Sequence, residues 1–239
     1  MPRKQTSIEV KNGVGYLFMQ SGHRFNKLTV DMLNELKRAF AELGEDSSVV
    51  SIVLTGYHGD SFAVGADISQ MLPFRSKEAI AFSDLGQSLF SYMEECEKPI
   101  IAGINGICMG GGVDLALACD IRIASSSLRT AHPGSKIGII TGFCGTQKLP
   151  RLVGKNRAME IFMTAEEFGA SEALEYGLVD MVFGSEEFWE KTVCFAEEIA
   201  SKPKDALYSL KKLVNAASDL NIKYGCALER RHFSTLASQ

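Results

Sequence analysis

The stretch ICMGGGVDLALAC, residues 107–119, contains three consecutive glycines directly before an Ala/Leu-rich segment with high helix propensity. Glycines at this place allow backbone N–H groups to approach a ligand with no side chain in the way. The N-terminus of the following helix adds partial positive charge at the same point. The stretch therefore predicts a turn into a short helix that can stabilise a developing oxyanion.

Two other glycine-rich motifs do not fit this stretch. A phosphate loop has Gly-Lys-Ser/Thr after its glycines, whereas Val113 and Asp114 follow here, and the dinucleotide-binding pattern GxGxxG is absent. A carboxylate so close to the helix start would repel a phosphate, but it can exchange a proton with a substrate whose carbonyl gains charge. Asp114 is therefore a candidate acid/base, and the alternative is that it only complements the helix dipole.

A second glycine-bearing stretch, SFAVGADI, occupies residues 61–68 and follows a β-branched run. Gly65 permits a backbone turn there, and loops that follow strands are where α/β proteins bind ligands. The residues alone leave open the alternative of an ordinary strand-to-helix loop.

The pattern around these two stretches indicates alternating strands and helices. Thr29 is a suitable N-cap for a helix that reaches about Leu43, and Gly44 follows as the expected C′ glycine. The other predicted elements are two strands within residues 7–19 joined at Asn12-Gly13, strands at 49–55, 99–104 and 121–124, and a helix over about 77–94. Beyond about residue 155 the pattern is mostly helical. These elements predict the α/β class, although a doubly wound nucleotide-binding domain fits the coarse pattern nearly as well.

The composition is that of an ordinary globular protein with a large core. The chain has 239 residues, of which 46% are apolar and 23% charged, and 25 Lys+Arg against 29 Asp+Glu give a formal charge of −4. These values exclude the collagen-like, disordered and disulfide-framework classes. A net-negative chain without a basic run is also a poor nucleic-acid binder, because Lys and Arg supply most of that affinity.

The sequence gives no indication of a membrane or metal site. The N-terminal MPRKQTSIEV lacks the apolar region of a secretory signal, and the longest uncharged stretch, 99–113, is interrupted by five glycines and is too short to span a bilayer. The six cysteines and four histidines are dispersed, with no ligand spacing. We therefore expect reduced thiols in a cytoplasmic protein.

Several motifs together resemble the enoyl-CoA hydratase/isomerase (crotonase) superfamily: FAVGADIS, GGGVDLALACDIRIA, GTQKLPRLVGKNRAMEIFMT and GASEALEYGLVDMV. They occur in the family's order, and the resemblance covers nearly the whole chain. It implies a crotonase-type spiral of ββα turns over residues 1–185, followed by a helical trimerisation region over 186–239 that is shorter than usual for the family. Family members bind acyl-CoA thioesters and stabilise an enolate at the thioester carbonyl. The resemblance thus implies an acyl-CoA substrate and no separate cofactor.

The resemblance also assigns roles to individual residues. The two oxyanion-hole amides fall on Ala66 and Gly111. The first acid/base carboxylate falls on Asp114, where hydratases usually have Glu and some isomerases, including dienoyl-CoA isomerases, have Asp. Contacts with the substrate or its coenzyme A are implied at seven further positions: Ala63, Gly65, Asp67, Ile68, Gly110, Gly134 and Gly142.

The second carboxylate of the family is missing. Hydratases have Pro-Glu where this chain has Pro133 and Gly134. The corresponding acid of dienoyl-CoA isomerases falls on Gly142, and that of dihydroxynaphthoyl-CoA synthases falls on Thr141. The stretch PGSKIG resembles those synthases, some of which bind bicarbonate, so an anion or water at Gly134 is one hypothesis. A second is that His132 replaces the acid, although the family has a non-catalytic polar residue there.

These observations predict an enzyme of the enoyl-CoA hydratase/isomerase type. Because a single carboxylate moves one proton, weak hydration or an isomerisation is expected. The alternatives are an acyl-CoA-binding paralogue with little catalysis and a synthase-like member that uses a bound anion. A serine peptidase, a class that shares the spiral fold, is excluded because no Ser follows the glycine triplet and GxSxG is absent. The family further implies a homotrimer or a dimer of trimers.

Overall fold

The computed structural model describes residues 4–22, 24–57 and 59–238, so two of the four histidines, His23 and His58, lie outside the described residues. The strands within these ranges are β1 (Thr6–Lys11), β2 (Val14–Met19), β3 (Ser51–Gly56), β4 (Ser61–Ala63), β5 (Ile100–Ile104), β6 (Ile107–Met109), β7 (Ile121–Ser125), β8 (Arg129–Ala131), β9 (Phe168–Gly169) and β10 (Met181–Phe183). The helices are α1 (Val30–Glu45), α2 (Ile68–Met71), α3 (Ser76–Glu95), α4 (Gly111–Leu117), α5 (Gly145–Val153), α6 (Lys155–Thr164), α7 (Ala170–Glu175), α8 (Phe188–Ala200), α9 (Lys204–Ala216) and α10 (Ile222–Ala237), with a short 3₁₀ helix at Pro133–Ile137.

The strands form two sheets that the chain visits in turn. One sheet has the order β1-β2-β3-β5-β7-β10 and the other has the order β4-β6-β8-β9. The pairs β3/β4, β5/β6 and β7/β8 each place one strand in each sheet, and their neighbours within a sheet are parallel. Antiparallel pairing occurs where β1 meets β2 and where β8 meets β9. This topology confirms the predicted α/β spiral.

Helix α1 begins as predicted but ends later. The Thr29 hydroxyl accepts a hydrogen bond from the Met32 amide at 3.1 Å and caps the helix N-terminus. The prediction that Gly44 ends the helix is wrong, because α1 continues to Glu45 and Asp46 is the C-cap. Packing explains this glycine, since a Cβ at Gly44 would lie 2.9 Å from the Tyr92 hydroxyl of α3.

The six-stranded sheet is covered on both faces, as its continuous β-branched strand β3 requires. Every residue of β3 is buried. On one face lies the main core, in which α1 and α3 contribute Leu36, Phe40 and Phe90, each fully buried. On the other face α8 contributes Phe188 and Ala196 to a second cluster.

A buried ion pair holds α9 against the core. The Lys211 ammonium lies 2.8 Å from an Asp120 carboxylate oxygen and donates to the carbonyls of Met93 and Lys98 at 3.0 Å each. Burial raises the pKa of Asp120, and the charge of Lys211 opposes that rise. Helix α10 packs on α9 and has no buried residue. The division of the chain at residue 186 stays a prediction.

None of the helices in the described part of the chain combines the length and apolar character that crossing a bilayer requires.

The middle glycine of the triplet is required by packing between α4 and β4. A Cβ at Gly112 would lie 2.1 Å from the Ala63 carbonyl oxygen and 2.8 Å from its carbonyl carbon. These are backbone atoms of a buried strand, which cannot move aside as a flexible side chain can. Gly112 therefore sets how closely the start of α4 approaches the second sheet.

We expect Gly112→Ala to lower the free energy of unfolding by about 3 kcal/mol or more, since overpacking against backbone forces the helix away from the sheet. Urea unfolding followed by circular dichroism measures the change. Gly184→Ala is the matched control, because a Cβ at Gly184 meets no atom within 4 Å. Equal stability of the two variants would contradict the proposed packing constraint.

Candidate active site

The loops that follow β4 and β6 are in direct backbone contact. Gly65 has φ +83°, which residues with a side chain rarely adopt, and a Cβ there would lie 2.9 Å from both the Gly111 amide nitrogen and the Met109 carbonyl oxygen. Only glycine allows this approach. The contact places the two predicted oxyanion donors, the amides of Ala66 and Gly111, on adjoining segments of chain.

Both amides are available to a ligand. Gly111 is the first residue of α4, so its N–H has no partner within the helix. Among the described residues, no hydrogen-bond acceptor is found for the amide of Ala66 or of Gly111, and both residues are partly exposed. The Ala66 loop is itself fixed, since the Leu28 amide donates to the Gly65 carbonyl at 2.8 Å. Two such donors can bind a carbonyl oxygen that gains negative charge.

Gly110 connects this pair of loops to a third loop, which follows β8. It has φ +51° at the N-cap of α4, and its amide donates to the Ala131 carbonyl at 2.9 Å. A Cβ at Gly110 would lie 3.8 Å from the Pro133 ring. Residues 131–134 therefore lie beside the predicted oxyanion site.

Asp114 lies one turn into α4 and is fully buried. Its Oδ1 lies 3.1 Å from His132 Nε2, and its Oδ2 accepts a hydrogen bond from the Thr141 hydroxyl. Gly145 makes room for the carboxylate, because a Cβ there would lie 2.0 Å from Asp114 Oδ1. The candidate carboxylate is thus held between two polar side chains from two other loops.

Three of these contacts could not be read from the motifs. In the sequence His132 is one of two alternatives for the missing acid, Thr141 is a position without a carboxylate, and nothing distinguishes Gly145. Asp114 and His132 are 18 positions apart, which is not a characteristic spacing, since β7 and β8 lie between them. Their contact follows from the spiral topology.

A cavity of about 330 Å³ adjoins this cluster. Its lining includes Gly134 and the polar side chains of His132, Ser135, Thr141, Thr146 and Lys155. The rest of its wall is mainly apolar and includes Ile139, Ile140, Pro150, Ala158, Met159, Phe162 and Met163. Such a cavity fits an apolar group attached to a reacting centre near His132.

Gly142 is placed differently from Gly134. Its carbonyl accepts hydrogen bonds from the Ser83 hydroxyl at 2.5 Å and from the Gln87 amide at 2.9 Å, both on α3. The residue is exposed and is not among those that line the cavity. Gly142 therefore ties the loop before α5 to α3.

The other predicted binding residues surround the Ala66 loop. Asp67 caps α2, and the Ser69 hydroxyl, together with the Lys27 ammonium 3.2 Å away, lowers the pKa of its carboxyl. Ile68 is 45% exposed and free to contact a ligand. Ala63 is fully buried beneath Gly112, so any contribution it makes to binding is through the loop it supports.

Cys108, on β6 near Asp114, is not a nucleophile. Burial raises the pKa of its thiol, and the Asp114 charge raises it further. The thiol is therefore protonated at neutral pH, whereas a nucleophilic cysteine needs its thiolate.

Comparisons with known proteins agree with this geometry. Residues 9–239 match the family model described as enoyl-CoA hydratase/isomerase. The chain is 37% identical to a short-chain-enoyl-CoA hydratase from Clostridium acetobutylicum, over 95% of this chain and 87% of the relative. It is 36% identical to a crotonyl-CoA hydratase from Syntrophomonas wolfei, with the same two coverages.

Solved structures show the same likeness. An enoyl-CoA hydratase from Bacillus anthracis superposes with a TM-score of 0.94 at 30% identity, covering 98% of this chain and 92% of that one. One from Thermoplasma volcanium gives 0.94 at 32% identity, covering 99% and 94%. The resemblance drawn from the glycine motifs is confirmed, and the chain belongs to the enoyl-CoA hydratase/isomerase family.

Proposed function

We propose that this chain acts on a 2-enoyl-CoA thioester, adding water across its double bond or shifting that bond, through an enolate of the thioester. The observation that carries the proposal is the close backbone approach of Gly65 to Gly111, beside two amides that have no hydrogen-bond partner among the described residues. Two relatives are named for hydration of such substrates.

The amides of Ala66 and Gly111 are proposed to bind the thioester oxygen. Charge develops on that oxygen as the enolate forms, and donors fixed in advance need no rearrangement to stabilise it. Loss of one such donor in comparable enzymes raises the barrier by about 2.7–4 kcal/mol. The partial positive charge at the N-terminus of α4 acts in the same direction.

Asp114 is proposed as the carboxylate on which the acid/base chemistry depends. No carboxylate is found among the described residues that line the cavity, and Asp114 lies directly behind His132 and Thr141 of its wall. With one carboxylate, a single acid/base centre must both take and return a proton, as in isomerisation or single-base hydration. The alternative is an acyl-CoA-binding protein without catalysis, and the first experiment below distinguishes it from an enzyme.

A homotrimer or dimer of trimers is also proposed. Helices α9 and α10 expose large apolar side chains, namely Leu210, Val214, Ile222, Tyr224 and Phe233, each 58–81% exposed. Apolar surface of this kind marks interaction sites, and soluble homo-oligomers are generally closed and symmetric. A cytoplasmic location stays a prediction.

Asp114→Asn is expected to lower turnover of crotonyl-CoA by about 10²–10⁴-fold, because an amide cannot support proton transfer at this site as the carboxylate does. Loss of the ultraviolet absorbance of the conjugated thioester measures hydration, and calorimetry measures binding. Asp205→Asn, on an exposed position of α9, is the control that should retain full activity. Binding of several enoyl-CoA thioesters by the unmodified protein without any turnover would instead establish the non-catalytic alternative.

Gly134→Glu is expected not to raise activity, although it restores the residue that hydratases have at this position. A Cβ at Gly134 would lie 2.8 Å from the Ile139 carbonyl oxygen, so the turn closed by the Ile139 amide and the Gly134 carbonyl must open. Gly134→Ala has the same backbone clash without the carboxylate. We expect both variants to have a lower melting temperature than the unmodified protein. A faster hydration of crotonyl-CoA by Gly134→Glu than by the unmodified protein would contradict the expected lack of gain in activity.

Light scattering at micromolar concentration should give a mass three or six times that of the 26.1 kDa chain. The physical reason is that association removes the apolar side chains of α9 and α10 from water. Phe233→Glu, which places a charge in that surface, should lower the mass. A single-chain mass for the unmodified protein would reject the proposed assembly.

A further inference from the structure

Asp114 does not line the cavity. Its side chain is fully buried, and both carboxylate oxygens are engaged, one by His132 and the other by Thr141. A proton exchanged between Asp114 and a molecule in the cavity therefore passes through one of these two residues, both of which line the cavity wall.

Thr141 is poorly suited to pass the proton. Its hydroxyl hydrogen is donated to Asp114, and its oxygen accepts a hydrogen bond from the Phe143 amide at 3.1 Å. A hydroxyl has only one hydrogen to donate. Thr141 therefore holds the carboxylate in place.

The two ring nitrogens of His132 have different surroundings, since Nε2 contacts Asp114 and Nδ1 does not. A carboxylate only accepts hydrogen bonds, so Nε2 carries the hydrogen donated to Asp114 at 3.1 Å. In the neutral imidazole, Nδ1 then carries the lone pair. Among the described residues Nδ1 has no hydrogen-bond partner, yet it is not one of the fully enclosed unpaired polar atoms, which are Tyr16 Oη and Ser61 Oγ. Nδ1 therefore keeps some accessible surface, and His132 lines the cavity.

The ring is also fixed in orientation. Its centroid lies 4.7 Å from that of Phe162 in an edge-to-face arrangement, and the residue is 4% exposed. An imidazole held by a buried carboxylate on one nitrogen and open on the other is the arrangement by which enzymes make histidine a base.

We propose that His132 is the catalytic acid/base of this chain and that Asp114 is the positioning residue behind it. The inference rests on the proposed function and deepens it. In hydration, the water oxygen bonds to C3 while a water proton passes to His132 Nδ1. The electron pair of the C2=C3 bond moves into the enolate, and the protonated imidazole then returns one proton to C2. Water is added in full, and His132 ends as it began.

The experiment follows two reactions in the unmodified protein, His132→Gln and His132→Ala. The first is hydration of crotonyl-CoA. The second is exchange of the C2 hydrogens of butyryl-CoA with D₂O, followed by NMR, which needs only proton removal to an enolate and return of a deuteron. Binding of butyryl-CoA is measured by calorimetry. His232→Gln is the matched control, since that histidine lies on α10 and bonds to Ser209.

Glutamine can donate to Asp114 as Nε2 does, but it cannot take a proton. We therefore expect His132→Gln to bind butyryl-CoA within about twofold of the parent and to lose both reactions by about 10²–10⁴-fold. His232→Gln should retain both. Should His132→Gln fail to fold, His132→Ala decides the question, because added imidazole is expected to restore its exchange rate in proportion to concentration.

Near-parental rates in His132→Gln would overturn the assignment and leave the proposed function standing, with the histidine merely positioning Asp114. Absence of an imidazole response in a folded His132→Ala would also overturn it. If the unmodified protein catalyses neither reaction, the proposed function fails and the assignment of His132 fails with it.

Discussion

The site depends on the approach of two backbone segments to each other, the turn at Gly65 and the start of α4. A side chain at Gly65 would lie 2.9 Å from the Gly111 nitrogen, and one at Gly112 would lie 2.1 Å from the Ala63 carbonyl oxygen. Burying an amide that has no hydrogen-bond partner costs about 1–3 kcal/mol of folding free energy. The amides of Ala66 and Gly111 avoid that full cost because both residues are partly exposed, and the same exposure makes them available to a ligand.

The spiral brings the remaining parts of the site to the same place. Strands β4, β6 and β8 are parallel neighbours, with Ala63 paired to Cys108 and Met109 paired to Ala131. Since parallel strands end at one edge of a sheet, the loops that follow them adjoin one another. The glycine turn, the N-terminus of α4 and the segment that begins with His132 are those loops. Helix α3 then fixes the fourth segment through its contacts with Gly142.

The sequence predicted the glycine-dependent part of this structure well, because glycine has few alternatives where a backbone turn or close approach is required. The strands, α1 and the family could be inferred for similar local reasons. Gly44 misled the prediction because close helix packing and a helix end both favour glycine. The Asp114–His132 contact was beyond local inference, since it depends on which strands lie side by side.

That contact changes how the missing second carboxylate is understood. At Gly134 the Ile139 carbonyl lies where a Cβ would point. The imidazole of His132, two positions earlier and hydrogen-bonded to a buried carboxylate, supplies a proton-transfer group instead. The expectation of slow hydration by a single base stays a prediction.

The most direct test of this account is a crystal structure with a bound, unreactive acyl-CoA thioester. We expect the thioester oxygen to lie about 2.7–3.1 Å from the amide nitrogens of both Ala66 and Gly111. The acyl carbons next to the thioester should face His132 Nδ1. A thioester oxygen bound away from these two amides, or an acyl group that leaves the cavity at His132 empty, would contradict the account.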